Sequence, residues 1–352
     1  MKLQKLRSEM EKQQIEALLI TSQFNLRYIT EFTGTAGLAL VTREKAYFIT
    51  DFRYTEQASE QVQEFEVIQA KTNLLEEAAE TVKQLGIQAL AFEKDYVTYS
   101  SFLQYQEKMD AELKPVDGII EKIRMIKTPE EISILKAAAK IADDAFEHIC
   151  GFIKAGQTEL EVSNELEFFM RRQGATSSSF DTIVASGLRS ALPHGVATDK
   201  VIEQGDMITL DYGALYNGYI SDITRTVAVG EPSEKMKEIY QTVLDAQVLG
   251  LEKIGPGMTG IEADAIARDY IKSKGYGEAF GHSTGHGIGL EVHEGPGLSF
   301  KSQTVLEPGM AVTVEPGIYI AGIGGVRIED DILITESGNE RLTNSTKELR
   351  IL

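Results

Sequence analysis

Apolar residues recur with a helical period over residues 2–13, where Leu3, Leu6 and Met10 share one face, so an amphipathic helix is expected first. Residues 15–21 (Ile-Glu-Ala-Leu-Leu-Ile-Thr) read as a buried strand. Residues 34–42 and 45–50 read as two more strands joined by the polar pair Arg43-Glu44. A helix is expected from Asp51 onward, with Thr50 or Asp51 as its cap. Residues 65–68, a helix near 74–85 and residues 89–92 continue the alternation, which predicts a small α/β domain with a mixed sheet. The pattern changes between about residues 115 and 127. Thr128 ahead of Pro129-Glu130-Glu131 supplies a cap, a proline at the first helical position and acids in the first turn, so a long helix runs towards His148. We therefore divide the chain into 1–122 and 123–352.

Beyond that boundary the chain repeats itself. Residues 201–213 (Val-Ile-Glu-Gln-Gly-Asp-Met-Ile-Thr-Leu-Asp-Tyr-Gly) return without a gap, 104 residues later, as 305–317 (Val-Leu-Glu-Pro-Gly-Met-Ala-Val-Thr-Val-Glu-Pro-Gly). Each copy closes an apolar strand on an acid, Asp211 or Glu315, where a core has no use for a charge. One structural unit used twice, each offering its acid, points to one shared site. The repeat is wider than these strands. Residues 153–158 (Ile-Lys-Ala-Gly-Gln-Thr) correspond to 254–259 (Ile-Gly-Pro-Gly-Met-Thr), and the helices that follow end near Gly174 and Gly275. Each half reads as helix, turn, helix, then strands, with helices outside and curved antiparallel strands inside.

The strands carry the chemistry. Asn217-Gly218 is a strong hairpin signal, and with Tyr216 facing Tyr219 the register puts Asp211 opposite Thr224. Asp222 then shares a face with Thr224, diagonal to Asp211, so two acids can converge on a small ion; a solvent-facing pair at a hairpin end is the other reading. Glu315 and Glu329 form the second pair, with Arg327 two residues from Glu329 in one expected strand, 325–335. Arg327 is either a plain ion-pair partner of Glu329 or the group that fixes its carboxylate. Three of five histidines, His282, His286 and His293, fall in the glycine-rich run 281–296, and His194 lies in Leu192-Pro193-His194-Gly195. His148, on the long helix, reads as structural or surface. Four carboxylates with imidazole nearby favour two divalent metals, manganese foremost, with cobalt or zinc as alternatives.

Composition narrows the partners. The 352 residues are 42% hydrophobic and 25% charged, as in globular proteins, and carry a formal net charge of −19. Such a surface argues against nucleic acid and anionic membrane. Cys150 is the sole cysteine, which excludes a disulfide framework and thiolate zinc sites. No signal peptide or spanning apolar run is visible, so a cytoplasmic location is expected.

These residues resemble the metallopeptidases of the "pita-bread" fold, which include aminopeptidase P, prolidase and methionine aminopeptidase. The resemblance rests on Pro193-His194-Gly195, Asp211-Tyr212-Gly213, residues 221–226 (Ser-Asp-Ile-Thr-Arg-Thr), 285–289 (Gly-His-Gly-Ile-Gly), Val292-His293-Glu294, 315–319 (Glu-Pro-Gly-Ile-Tyr) and 325–329 (Gly-Val-Arg-Ile-Glu). It implies an α+β chain: a pita-bread domain with a pseudo-two-fold repeat, preceded by a smaller creatinase-type α/β domain. It also implies that Asp211, Asp222, His286, Glu315 and Glu329 hold two metals, and that a metal-bridging hydroxide attacks the scissile carbonyl. Glu315 would also assist proton transfer, and His194 and His293 would position substrate or stabilise the tetrahedral intermediate. His282 would line the proline pocket, with Tyr319 and Arg327 in support. Residues 33–37 and 50–57 resemble the Xaa-Pro branch, which implies proline-containing peptides as substrates and a homodimer. Where some prolidases carry an Arg four residues after the histidine matching His293, this chain has Gly297, which tilts the expectation towards an Xaa-Pro aminopeptidase, with a dipeptide-only prolidase as the alternative. Non-catalytic binding modules and creatinase share the fold but lack the full ligand set.

Overall fold

The computed structural model describes residues 2–352, which separate into two units, residues up to Arg124 and Met125–Leu352. In the first unit, Leu3, Leu6 and Met10 are buried along α1 (Lys2–Lys12), as the apolar spacing requires. Its sheet comprises β1 (Ala17–Ile20), β2 (Leu38–Thr42), β3 (Ala46–Thr50), β4 (Glu66–Gln69), β5 (Ala89–Glu93) and β6 (Glu112–Val116), in the order β4-β3-β2-β1-β5-β6. The sheet is mixed: β1–β2 and β2–β3 are antiparallel, the other neighbours parallel. The helices are α2 (Gln23–Thr30), α3 (Thr55–Gln61), α4 (Leu74–Leu85), α5 (Tyr99–Lys108) and α6 (Ile119–Met125).

One expectation fails locally. The helix after β3 starts at Thr55, not Asp51, and its cap Tyr54 makes no side-chain capping bond. The Asp51 carboxylate is taken by the backbone N–H and the guanidinium of Arg53, which shapes a turn in place of a helix start.

The second unit opens with α7 (Pro129–Phe152), whose Thr128 and Glu131 form a capping box. The first half continues with α8 (Glu159–Arg172), β7 (Ser177–Ser178), β8 (Ile183–Ser186), a 3₁₀ turn (Gly187–Ala191), β9 (Met207–Tyr212), β10 (Ala214–Tyr216), β11 (Tyr219–Ile220) and β12 (Ile223–Ala228). The second half comprises α9 (Glu234–Lys253), α10 (Gly260–Ser273), a short 3₁₀ turn (Gly277–Ala279), β13 (Gly285–Gly287), β14 (Glu294–Leu298), β15 (Ala311–Val314), β16 (Gly317–Ile320), β17 (Gly324–Arg327), β18 (Asp330–Thr335) and β19 (Gly338–Arg341).

The halves share their details. Capping boxes Thr158/Glu161 and Thr259/Glu262 start α8 and α10. Antiparallel bridges tie Thr158 to Val201 and Thr259 to Val305. β8-β9-β12 in one half answers β13-β15-β18 in the other, and all these pairings are antiparallel. One face of the first-half strands packs with α7 and α8 in a core containing Phe146, Leu166, Leu210 and Ile223. The second half forms its own cores with α9 and α10. No helix among the described residues is long and apolar enough to cross a membrane.

Candidate metal centre

The hairpin register is the expected one: Tyr216 faces Tyr219 and Asp211 faces Thr224. Asn217 and Gly218 both have positive φ, 48° and 85°, as a turn matching strand twist demands. The strands do not run unbroken past the acids. Ser221-Asp222 interrupts β11 and β12, Glu315-Pro316 separates β15 from β16, and Ile328-Glu329 separates β17 from β18. The expected strand 325–335 is therefore two strands in two sheets. At each break the backbone N–H finds a remote acceptor: Asp222 donates to Asp331 Oδ2 (2.9 Å), Glu315 to the Thr284 carbonyl (2.8 Å) and Glu329 to the Thr224 carbonyl (3.0 Å). The breaks turn three carboxylates out of the alternating pleat and into one cleft of about 560 Å³.

Asp211, Asp222, His286, Glu315 and Glu329 all line that cleft. Asp222, His286 and Glu329 each offer one ligand atom, and these atoms lie within 4.8 Å of one another. His286 Nε2 is 3.2 Å from Glu315 Oε1 and 3.8 Å from Asp222 Oδ2. The glycines flanking His286 are required by close packing: a Cβ on Gly285 would sit 1.9 Å from the Thr313 carbonyl oxygen, and one on Gly287 2.2 Å from that of Gly295.

So many acids in one place disturb each other. Burial, then the charges of Glu329 and Asp211, pushes Asp222 well above the ordinary carboxylate range. Burial, Glu315 and Asp211 do the same to Glu329. Asp211 is raised by burial, with Arg327 pulling the other way. Burial also opposes ionisation of Glu315, but the hydrogen bond and charge of His286 outweigh it and hold Glu315 at about 2. His286 rises despite burial because Glu315 faces it. One oxygen each of Asp211, Asp222 and Glu329 is buried without a hydrogen-bond partner. Orphaned carboxylate oxygens converging with an imidazole are what hard or borderline divalent cations take as ligands, so the residues fit such metals.

The neighbouring groups are arranged differently from the sequence expectation in one respect. Arg327 pairs with Asp211 through Nη2, not with Glu329. Its Nε donates to Thr224 Oγ1 (3.0 Å), and that hydroxyl donates to Glu329 Oε2 (2.6 Å). The break at Ile328-Glu329 sends the two side chains apart, so their spacing of two no longer puts them on a common face. Arg327 Nη1 also donates to Tyr319 Oη (2.7 Å) and to the Pro193 carbonyl (3.1 Å). The Ser283 carbonyl can only accept, so His282 Nδ1–H donates to it (2.8 Å), and the Nε2 of the neutral ring accepts the Tyr319 hydroxyl proton (2.9 Å). Burial pushes the Tyr319 hydroxyl up to about 12 and lowers His282, which stays neutral. His194 and His293 line the same cleft, and the His293 ring centroid is 4.3 Å from that of His286. His148 is remote from it: it bonds Glu165 (2.6 Å) and stacks on Phe169, a structural role.

Three supporting residues escaped the sequence reading. Thr224 bridges Arg327 and Glu329. Thr313 accepts from the His286 N–H (3.1 Å) and donates to Glu315 Oε1 (3.0 Å). Asp331 anchors the Asp222 backbone. A signal existed for Thr313, since both copies of the repeat keep a threonine two positions before the acid.

Comparison with known proteins places this geometry. The profile of metallopeptidase family M24 matches residues 133–336, and that of the creatinase/prolidase N-terminal domain matches residues 2–126. The structure of a Xaa-Pro dipeptidase from Bacillus anthracis is 64% identical, covers 100% of this chain and 99% of its own, and superposes with a TM-score of 0.98. The prolidase of Pyrococcus horikoshii is 45% identical, with 99% of each chain covered and a TM-score of 0.94. An X-Pro aminopeptidase from Thermotoga maritima is 42% identical, covers 98% of this chain and 100% of its own, and has a TM-score of 0.91. The chain is thus a member of metallopeptidase family M24, with the pita-bread fold and a creatinase/prolidase-type N-terminal domain.

Proposed function

We propose that the chain hydrolyses the Xaa-Pro bond of dipeptides, with two divalent metal ions held by Asp211, Asp222, His286, Glu315 and Glu329. The observation that carries this reading is the convergence of Asp222, His286 and Glu329 ligand atoms within 4.8 Å, beside partnerless carboxylate oxygens. Similarity to a Xaa-Pro dipeptidase at 64% identity and to a prolidase at 45% supports the dipeptide substrate. When bound, such ions polarise a peptide carbonyl and lower the pKa of water.

The chain's own groups do the rest. Glu315 Oε1 accepts from Thr313, which fixes the carboxylate and leaves Oε2 to take up and return a proton. His293, lowered by burial and by the neighbouring His286, is a neutral imidazole able to donate one hydrogen bond to a developing oxyanion. His194 projects into the cleft with no hydrogen bond to its ring among the described residues, so it is available to substrate. His282 has both nitrogens engaged and offers the cleft its carbon edge, suited to the apolar pyrrolidine ring of proline.

A second reading, the Xaa-Pro aminopeptidase, is favoured by one observation. Among the described residues Arg327 is the sole Arg or Lys lining the cleft, it is committed to Asp211, Tyr319 and Pro193, and position 297 is glycine. Among the described residues, a dipeptide carboxylate therefore meets no free Arg or Lys side chain in the cleft. Manganese-loaded protein offered Ala-Pro and Ala-Pro-Ala separates the two. Cleavage of the dipeptide alone supports the dipeptidase, release of alanine from the tripeptide moves the reading to the aminopeptidase, and inertness to both sinks both.

A further inference from the structure

We propose that Glu159 is a positioning residue for His194, holding the loop that carries this histidine against the cleft and thereby setting turnover. This rests on the role given above to His194.

Glu159 is the first residue of α8 and is fully buried, far from the candidate metal ligands in sequence. A carboxylate there has a bland explanation, since acids in the first turn favour a helix. Its contacts say more. Oε1 accepts from the Ser186 N–H (2.8 Å) and the Ser186 hydroxyl (2.9 Å). Oε2 accepts from Arg189 Nη1, the Thr198 N–H (3.1 Å) and the Thr198 hydroxyl (2.8 Å). These donors flank His194 on both sides, so one carboxylate closes the neck of the loop. Arg189 adds a bond from Nη2 to the Val196 carbonyl (3.0 Å), two residues beyond the histidine. Burial works to raise Glu159, but Arg189 and the remaining donors outweigh it, and the carboxylate is held below its usual range.

The His194 ring, by contrast, has no hydrogen bond of its own among the described residues, so its placement depends on the loop backbone. The second half meets the same need by other means. Asp264 on α10 accepts from Arg268 (2.6 and 2.8 Å) and from the Thr284 N–H (2.9 Å), and Arg268 Nη2 donates to the His282 carbonyl (2.7 Å). In the alignment of the halves, Glu159 corresponds to Gly260 and Asp264 to Ser163, so neither clamp is a part of the shared frame. Two buried acid–arginine clamps, reached from different positions and each ending on a loop that carries a cleft histidine, tie both to the site.

The test is a double-variant cycle on the full, metal-loaded chain with an Xaa-Pro substrate, comparing Glu159→Gln, His194→Ala and the pair. Expected for Glu159→Gln is a kcat roughly ten- to hundredfold lower, with KM within about twofold and metal content unchanged. In the pair, no loss beyond that of His194→Ala is expected. Losses that multiply in the pair, or wild-type kcat in Glu159→Gln, overturn the inference. Should Glu159→Gln fail to fold, Thr198→Val removes one of the five bonds and carries the same cycle with a loss of about three- to tenfold. Glu161→Gln, in the exposed capping box of the same first turn, controls for the helix: it should lower the melting temperature and leave kcat alone. Wild-type kcat in His194→Ala removes the role of that histidine and this inference with it, whereas a large His194→Ala loss with multiplying effects removes the inference alone.

Discussion

The two halves of the second unit build the same frame and fill it differently. Each has a capped helix, a glycine turn, and a three-strand ladder in which the central strand leads to an acid. The difference lies in the strand next to the acid strand. In the first half this is β8, Ile183-Val184-Ala185-Ser186, which is buried apolar sheet. In the second it is β13, Gly285-His286-Gly287, which places an imidazole between Glu315 and Asp222. The second half also contributes His282 and His293 from the same glycine-rich run. Repetition supplies carboxylates in opposed positions, while the imidazoles are departures from it: His286 beside Glu315 and Asp222, His282 and His293 from the same run, and His194 from the first half. The acids are placed alike in the two halves, and the site is made asymmetric by the strand beside Glu315.

The comparison breaks hardest at Glu315, which sits at the centre of the second half's contribution. Glu315→Ala should lower kcat/KM by roughly a thousandfold or more and reduce bound metal, read by steady-state kinetics and elemental analysis. Retained activity would sink the mechanism. The histidines come next. His293→Ala and His194→Ala should each lose roughly a hundredfold in turnover while keeping metal. Loss of metal instead would make either one a ligand and extend the asymmetry.

Metal removal sharpens the comparison through pH. Asp222 from the first half and Glu329 from the second are both raised, so in metal-free protein each stabilises the fold while protonated and ceases to do so as pH rises above the ordinary carboxylate range and through the raised values. Glu315, held at about 2, has the opposite sign: its contribution is present above the unfolded value and lost as pH falls through about 2. Stripping with a chelator should therefore lower the melting temperature more at pH 8 than at pH 5. Restoring metal at a hundred times its dissociation constant should recover about 2.7 kcal/mol for each site filled. A melting-temperature difference independent of pH would remove the mutual strain inferred between the acids. The smallest effect tests the shared frame itself. Thr158→Ala and Thr259→Ala should each cost about 1 kcal/mol in chemical denaturation, and near-equally, because both halves cap their second helix alike.

Much of this architecture follows from residues close together in the chain. The Asn217-Gly218 turn and a strand period of two are local rules, and they carried the pairing of Asp211 with Thr224 correctly across an interrupted ladder. Thr128 marked a helix start through the proline and acids that follow it, and Thr158 and Thr259 did so through the repeated turn that each closes, all local features. Asp51 misled because a carboxylate can serve a turn as readily as a helix, and nothing local distinguishes them until Arg53 has chosen. Arg327 misled for a different reason. Its partner Asp211 is 116 residues away, and a spacing of two from Glu329 means a shared face only if the strand is unbroken. Thr224, Asp331 and Glu159 act through hydrogen bonds whose partners become neighbours only after the halves have packed. The sequence by itself determined which acids and imidazoles are present and which turns present them. Where strands break, which carboxylate takes the arginine, and which buried acid holds the His194 loop were decided by tertiary structure, because a buried polar group accepts whichever partner the fold brings within about 3 Å.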